Sequence, residues 1–313
     1  MFVDERGERS RWLDLDGPVH YLDFGGPAHG PVIVCVHGLG GAALNWSAIA
    51  PLLTGRCRVL APDLAGHGLT QSDGRRTDVM ANRVLLHRFI EAVPGAPVIL
   101  MGNSMGGMIS LLETSAAPDA VAGLILIDPA VPLVPARPDP FVATMFAIYL
   151  TPGLGRLLMR RRNVSPEAVV AGTLALCCVD AARVPADVVA QHVALARRRA
   201  SFTGTERDFA ASMRSVLATS SFISGAAYRR RIRNITCPVL LVHGARDRLV
   251  PVGAARAAVR ANPSWSLVVL LDVGHVPQLE APHATARTIT DWLGSAGRSA
   301  AESAVQRTAE SAD

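Results

Sequence analysis

Six stretches of the chain are apolar apart from one leading Arg: Pro31 to Val36, Arg58 to Pro62, Val98 to Met101, Val121 to Ile127, Pro238 to Val242 and Leu267 to Leu271. A strand with one wet face alternates, whereas a strand covered on both faces reads as a continuous run. Each run therefore predicts a strand inside a sheet layered by helices. Between them the spacing changes to three and four. Thr77 to Val93 predicts a helix with Val79, Val84, Leu85, Phe89 and Ile90 on one face. Met108 to Glu113, Val252 to Ala261 and Pro282 to Leu293 predict further helices, and Asn45 to Leu53 a short one. Ahead of all these, Trp12 to Leu15 and Val19 to Phe24 alternate around Asp16-Gly17-Pro18, the signature of an antiparallel hairpin. Strands that take turns with helices imply an α/β fold, a mostly parallel twisted sheet flanked by helices, with right-handed crossovers.

The interval from Val131 to Ile235 breaks this rhythm. Pro129, Pro132, Pro135, Pro138 and Pro140 open it, and Ala- and Leu-rich helical segments follow with no strand pattern. It predicts a helical lid inserted late in the sheet. The expected organisation is residues 1–130 as the first part of the core, 131–235 as the lid, 236–294 as the second part of the core, and 295–313 as a Ser-, Ala- and Glu-rich disordered tail.

Half of the 313 residues are hydrophobic and 18% are charged, so the chain can bury a large core and is not disordered by composition. The formal charge is +5, and every basic side chain is Arg. The Arg runs are short, scattered and poor in aromatics, which argues against a nucleic-acid partner. Cys35, Cys57, Cys177, Cys178 and Cys237 are odd in number and contain no Cys-x-x-Cys, as expected of reduced thiols. Met1 to Arg6 is polar and lacks an apolar signal core, and Pro140 to Leu150 is too short to span a bilayer. These features predict a cytoplasmic protein with no integral membrane segment. The oligomeric state is not legible.

The chemistry starts where the run Val98 to Met101 breaks into Gly102-Asn103-Ser104-Met105-Gly106-Gly107. A strand, a Gly-x-Ser-x-Gly turn and a helix form the context of a nucleophile elbow, which lifts the serine hydroxyl clear of the sheet. Nothing has metal-ligand spacing, and no glycine-rich loop with a Lys cradles a phosphate, so neither metal nor cofactor is expected.

With His37-Gly38-Leu39-Gly40-Gly41, Gly244-Ala245-Arg246-Asp247 and Gly274-His275, the order becomes Ser, Asp, His. In these motifs, from Trp12 to Leu293, the chain resembles the α/β-hydrolase fold family, with the lid segment matching least. The resemblance implies a catalytic triad of Ser104, Asp247 and His275. Ser104 needs a base, which His275 supplies; Asp247 accepts the other imidazole N–H and fixes the tautomer. The backbone N–H groups of Leu39 and Met105 are the implied oxyanion donors. Asp128 also ends a strand and competes for the acid role, as in some members of the family. Asp247 is preferred because Gly244-x-x-Asp247 followed by Leu249-Val250-Pro251 resembles the usual acid loop. His37 is expected to brace the oxyanion loop and His67 to serve structure. His20, His29, His87, His192, His243 and His283 are read as surface or packing residues.

The implied function is hydrolysis of a carboxylic ester of an apolar small molecule. Asn103 next to the serine is similar to hydrolases that cleave carbon–carbon bonds in vinylogous diketones, which keeps a small ketone substrate as the alternative. Val276 after the histidine and Gly40-Gly41-Ala42 in the oxyanion loop depart from that group. A non-catalytic ligand-binding member of the fold is the third reading. Ser104 stands where epoxide hydrolases and dehalogenases carry an Asp nucleophile. In the lid, Phe141, Met145 and Ile148 or Tyr149 share a helical face that predicts an apolar pocket wall. No Arg cluster lines the elbow in sequence, so no strong preference for an anionic acyl group is expected; Arg137, Arg156 or Arg160 would change this if they folded inward.

Overall fold

The computed structural model describes residues 9–95, 97–131, 144, 147–148, 151 and 164–295, the side chains of 222–224 excepted. Eight strands form one sheet in the order β1-β2-β4-β3-β5-β6-β7-β8. They are β1 Ser10–Asp14, β2 Pro18–Gly25, β3 Val32–Val36, β4 Arg58–Pro62, β5 Val98–Asn103, β6 Val121–Ile127, β7 Val239–Gly244 and β8 Ser266–Leu270. The hairpin β1–β2 is antiparallel and β2 joins β4 antiparallel; from β4 across to β8 every pairing is parallel.

Alternation along the central strands explains why they read as unbroken apolar runs. Val34, Val36, Leu100, Leu124, Leu126 and Leu241 enter one core layer. Ile33, Cys35, Met101, Ile125, Ile127, Leu240 and Val242 enter the other, with Trp46, Ile49 and Ile289. Both faces are roofed, so no position needs a polar side chain. The first layer is closed by α2 Val79–Ala92 and α3 Met105–Ala116. The Asp78 carboxylate caps α2 by accepting the N–H groups of Met80 and Ala81. The expected apolar face of this helix needs one correction. Val84 is 46% exposed, and the buried stripe instead runs through Val79, Asn82, Leu85, Leu86, Phe89 and Ile90. Asn82 belongs there because its side chain accepts the Ala65 N–H and donates to the Thr77 carbonyl. The short helix expected over Asn45 to Leu53 is split into a 3-10 turn, Ala43–Trp46, and α1, Ala50–Leu53.

Between β6 and β7 the described residues include the helices α4 Pro166–Cys177, α5 Ala186–Arg199, α6 Thr205–Ser220 and α7 Phe222–Ile232. Among the described residues of this interval there is no strand. Polar bonds tie these helices to the sheet-bearing body. Ser212 and Thr77 exchange side-chain bonds with each other's segment, and Ser215 accepts the Val79 N–H. The Arg199 guanidinium donates to the carbonyls of Gly66 and Gly68. The apolar face through Phe141, Met145 and Tyr149 and the tail from 296 lie outside the described residues. Helices α8 Val252–Ala261 and α9 Pro277–Glu280 and the helical residues 282–295 complete the described residues. Among the described residues no helix is long and apolar enough to cross a membrane.

Packing is very tight where α3 crosses β3. A Cβ on Gly106 would lie 2.0 Å from the Val36 carbonyl oxygen, a backbone atom that cannot rotate away. Gly106→Ala is therefore expected to destabilise the fold by about 3 kcal/mol or more. Urea unfolding with an unchanged midpoint would show that the crossing has slack.

Candidate active site

Parallel strands bring their carboxyl ends to one edge. Val36 pairs with Gly102, Asn103 with Ile127, Ile127 with Val242, and Gly244 with Leu270. The residues that follow these ends are His37, Ser104, Asp128, Ala245 and Leu271, so the loops carrying the sequence-predicted chemistry share one rim.

Ser104 has φ 54° and ψ −116°, a conformation that a non-glycine residue adopts only when its surroundings impose it. Three backbone bonds do so here. Its N–H donates to the Ile127 carbonyl, and its carbonyl accepts from Met108 and Ala130. The expected elbow is thus built, with the serine half-buried at the head of α3.

The loop after β3 presses against it. A Cβ on Gly38 would lie 3.2 Å from both Asn103 Oδ1 and the Ser104 Cβ. His37 braces this loop as expected: Nε2 accepts the Leu64 N–H at 3.1 Å and Nδ1 lies 2.8 Å from the Gly38 carbonyl. Burial lowers the basicity of this ring, which fits a neutral imidazole with one donor and one acceptor edge. His67, packed against it, is pushed down to about 3 by burial and by the neighbouring ring. Asp63 organises the same region by accepting from His20 Nδ1 and from the N–H groups of Ala43 and Leu69, each at 2.7 Å. Among the described residues, neither the Leu39 nor the Met105 N–H donates to another protein group.

His275 Nδ1 lies 2.7 Å from Asp247 Oδ2, and both side chains are buried. The other carboxylate oxygen of Asp247 accepts the N–H groups of Leu249 and Val250 at 2.7 and 3.0 Å. Burial alone would raise the Asp247 carboxyl; the adjacent His275, with His243 and the Val250 N–H, outweighs it and holds the group below its ordinary range. Asp128, just after β6, has φ 44° and is fully buried, but His275 turns its nitrogen to Asp247. Asp128 Oδ1 instead accepts the Gly244 N–H at 2.9 Å. Asp128, Asp247 and His275 form the one group of three metal-ligating types that converges among the described residues, with donor atoms within 4.8 Å of one another. Asp247 and His275 are committed to each other, and Asp247 and Asp128 to backbone donors.

Three residues that sequence reasoning did not assign hold this pair in place. Asn103 was singled out as a pointer to substrate. Its amide donates to the carbonyls of Ile127 and His275, both at 3.0 Å, and so ties the elbow strand to the histidine loop. The N–H of His275 in turn donates to the Cys177 carbonyl at 2.6 Å, at the end of α4. Glu280, 2% exposed, accepts the Gly274 N–H on one oxygen and the Val179 and Asp180 N–H groups on the other. It locks the histidine loop to the segment after α4. The available signal was a lone carboxylate in Val276-Pro277-Gln278-Leu279-Glu280, an apolar stretch five residues past the histidine. His243, read as a packing residue, is buried with Nε2 3.3 Å from Asp128 and 3.7 Å from Asp247.

Removing Glu280 would orphan the buried Gly274 N–H and two partly buried donors, Val179 and Asp180, on a second loop. Glu280→Ala is expected to lower stability by about 3 kcal/mol and to cut kcat more than KM, because the His275 loop loses its anchor. Thermal unfolding and ester kinetics check this; unchanged values of both would make Glu280 a bystander.

Residues 33–288 match the sequence profile described as the alpha/beta hydrolase family. The chain is 28% identical over 275 residues to pimeloyl-[acyl-carrier protein] methyl ester esterase of Aromatoleum aromaticum, covering 83% of this chain and 97% of that protein. It is 24% identical over 278 residues to mouse monoacylglycerol lipase ABHD6, covering 88% of this chain and 79% of that one. The crystal structure of Cfl2 from Burkholderia cenocepacia superposes with a TM-score of 0.76 at 23% identity, over 90% of this chain and 95% of that chain. Profile, sheet order and the positive-φ serine at the rim agree, and the chain belongs to the alpha/beta hydrolase family.

Proposed function

We propose that this hydrolase is a serine carboxylic-ester hydrolase for an apolar small molecule. The observation that carries the reading is the buried 2.7 Å His275–Asp247 pair tethered through Asn103 to the strand that presents Ser104. In the proposed reaction His275 takes the Ser104 proton as the hydroxyl oxygen attacks the ester carbonyl. Asp247 stabilises the resulting imidazolium and stays ionised. The unspent N–H groups of Leu39 and Met105 receive the oxyanion. Collapse expels the alcohol, which takes the proton from His275, and leaves an acyl-Ser104. Water, deprotonated by His275, then releases the acid and restores the hydroxyl. The mechanism calls for no cofactor or metal.

Two findings support an ester of apolar character. The relatives above carry names that describe ester cleavage: a methyl ester esterase and a monoacylglycerol lipase. Beside the oxyanion loop, Leu195 and Phe202 pack with Ala42, Leu44 and Leu69, and the Phe209 ring lies 3.0 Å from the place of a Gly40 Cβ. Helices of the 131–235 interval, which we read as a lid, thus offer apolar side chains next to the loop that faces the nucleophile.

Ser104→Ala is expected to abolish hydrolysis of p-nitrophenyl esters with the fold intact, and a fluorophosphonate label should require Ser104. Asp247→Asn should cost on the order of 10⁴ in kcat. Persistent turnover or labelling in Ser104→Ala would overturn the assignment.

Substrate class has its own test. Each acyl methylene buried against apolar side chains contributes up to about 0.8 kcal/mol. We expect kcat/KM to rise from acetyl to medium-chain acyl esters. A maximum at acetate would contradict an apolar pocket, and activity confined to a vinylogous diketone would move the bond cleaved from C–O to C–C.

A further inference from the structure

Asp128 does something in this site that its position after β6 does not explain. It is fully buried, and one oxygen accepts the Gly244 N–H. Its other oxygen, Oδ2, is buried with no hydrogen-bond partner, while a carboxylate oxygen of Asp128, one of Asp247 and a ring nitrogen of His275 lie within 4.8 Å of one another. Two carboxylates this close in a dry interior cannot both be ionised. The groups around them decide where the proton sits. Asp247 receives His275 on one oxygen and the Leu249 and Val250 N–H groups on the other. Asp128 receives one N–H. The negative charge therefore belongs to Asp247, and a proton on Asp128 Oδ2 satisfies the one oxygen that lacks a donor.

The other groups facing the pair do not offer an alternative. His243, from β7, has Nε2 2.9 Å from the Val250 carbonyl, so that nitrogen carries a hydrogen and donates outward. Its Nδ1 is buried without a partner, and burial disfavours the imidazolium despite the nearby Asp247. Glu280, from α9, adds negative charge and pushes Asp128 further toward the neutral form. The Cys177 thiol, from α4, is raised by burial and by its sister Cys178, and also by Asp247 and Asp128. Burial first, and Asp247 second, lift the Asp128 carboxyl well above the usual carboxylate range.

We propose that Asp128 is a neutral carboxylic acid that donates its O–H to Asp247, making the acid of the site a two-carboxyl pair with a single negative charge. The proposal rests on the reading of Asp247 and His275 given above. Its consequence is for the base. A doubly charged pair would bind the His275 proton too tightly for the ring to act as a base near neutrality. A singly charged pair orients the ring and leaves it free to accept a proton. Asp128 is thus a positioning residue that acts through Asp247.

Infrared spectroscopy of the full chain with ¹³C-labelled aspartate tests this directly. Near pH 8, at which ordinary aspartates are ionised, we expect one protonated-carboxyl band that shifts in D₂O, persists in Ser104→Ala and is lost in Asp128→Asn. Absence of the band from the wild type, or its survival in Asp128→Asn, would overturn the proposal. The Asn amide can donate to Asp247 and accept from Gly244 as the acid does. The acidic limb of the kcat/KM pH profile should therefore stay in Asp128→Asn where it is in the wild type. An acidic limb displaced downward by about one pH unit would mean that a negative charge had been removed, and would overturn the proposal too.

Stability gives a third readout, with a definite sign. A carboxyl whose folded pKa is raised costs stability above its unfolded pKa, near 3.9, as the unfolded chain ionises and the folded one does not. Asp128→Asn should then melt about 2 °C or more above wild type at pH 8, with the gap closing toward pH 4. A Tm at or below wild type at pH 8 would contradict a neutral Asp128. Continued turnover by Ser104→Ala, with the band present, would instead refute the catalytic reading and leave the protonated pair standing.

Discussion

Six strands run in one direction, so the chain must turn at the same edge of the sheet each time it leaves one of them. That constraint places His37, Ser104, Asp128, Asp247 and His275 together, although more than 230 residues separate the first from the last. Everything else at the site is a local answer to crowding at that edge. The serine takes a positive φ because strand, helix and the loop after β3 converge there. Glycine occupies the places where one backbone meets another, such as Gly274, whose Cβ would lie 2.2 Å from the Cys177 carbonyl.

Precision at the histidine is a backbone matter before it is a side-chain matter. The N–H of His275 is held by Cys177 and its carbonyl by Asn103; its neighbour Gly274 is held by Glu280. These bonds come from β5, from the end of α4 and from α9. The ring's orientation therefore depends on the helical interval after β6 as well as on the sheet. The same economy recurs in the buried carboxylates. Asp63, Asp247 and Glu280 each gather several N–H groups, which offsets the cost of taking a charge out of water and fixes the loops that supply the donors. Glu113 is held instead by an ion pair with Arg83 at 2.9 Å and by His87 Nδ1 at 2.6 Å.

Much of this was legible from residue order alone. Continuous apolar runs marked the doubly covered strands, and the Gly-x-Ser-x-Gly turn marked the elbow. Asp247 was preferred to Asp128 as the acid because Leu249 and Val250 follow it, and the N–H groups of these two residues bind its carboxylate. What was not legible depends on long-range contacts. Asn103 looked like a hint of substrate, but its two bonds go to Ile127 and His275, the second of them 172 positions away. His243 and Glu280 look ordinary in sequence because their partners come from other strands and loops. Val84 fits the apolar face by spacing, yet the helix turns Asn82 and Leu86 inward because the Ala65 and Thr77 backbone needs an amide there.

The central claim is that Ser104 carries the acyl group between two half-reactions, with His275 and Asp247 as its base and acid. Acid-quenched intact mass spectrometry during turnover of p-nitrophenyl hexanoate reads this most directly, followed by peptide mapping. The account predicts a transient hexanoyl adduct on the peptide containing Ser104, formed with a burst of p-nitrophenol and accumulating when deacylation is slow. Full turnover by a Ser104→Ala protein, or an adduct on any other side chain, would contradict it.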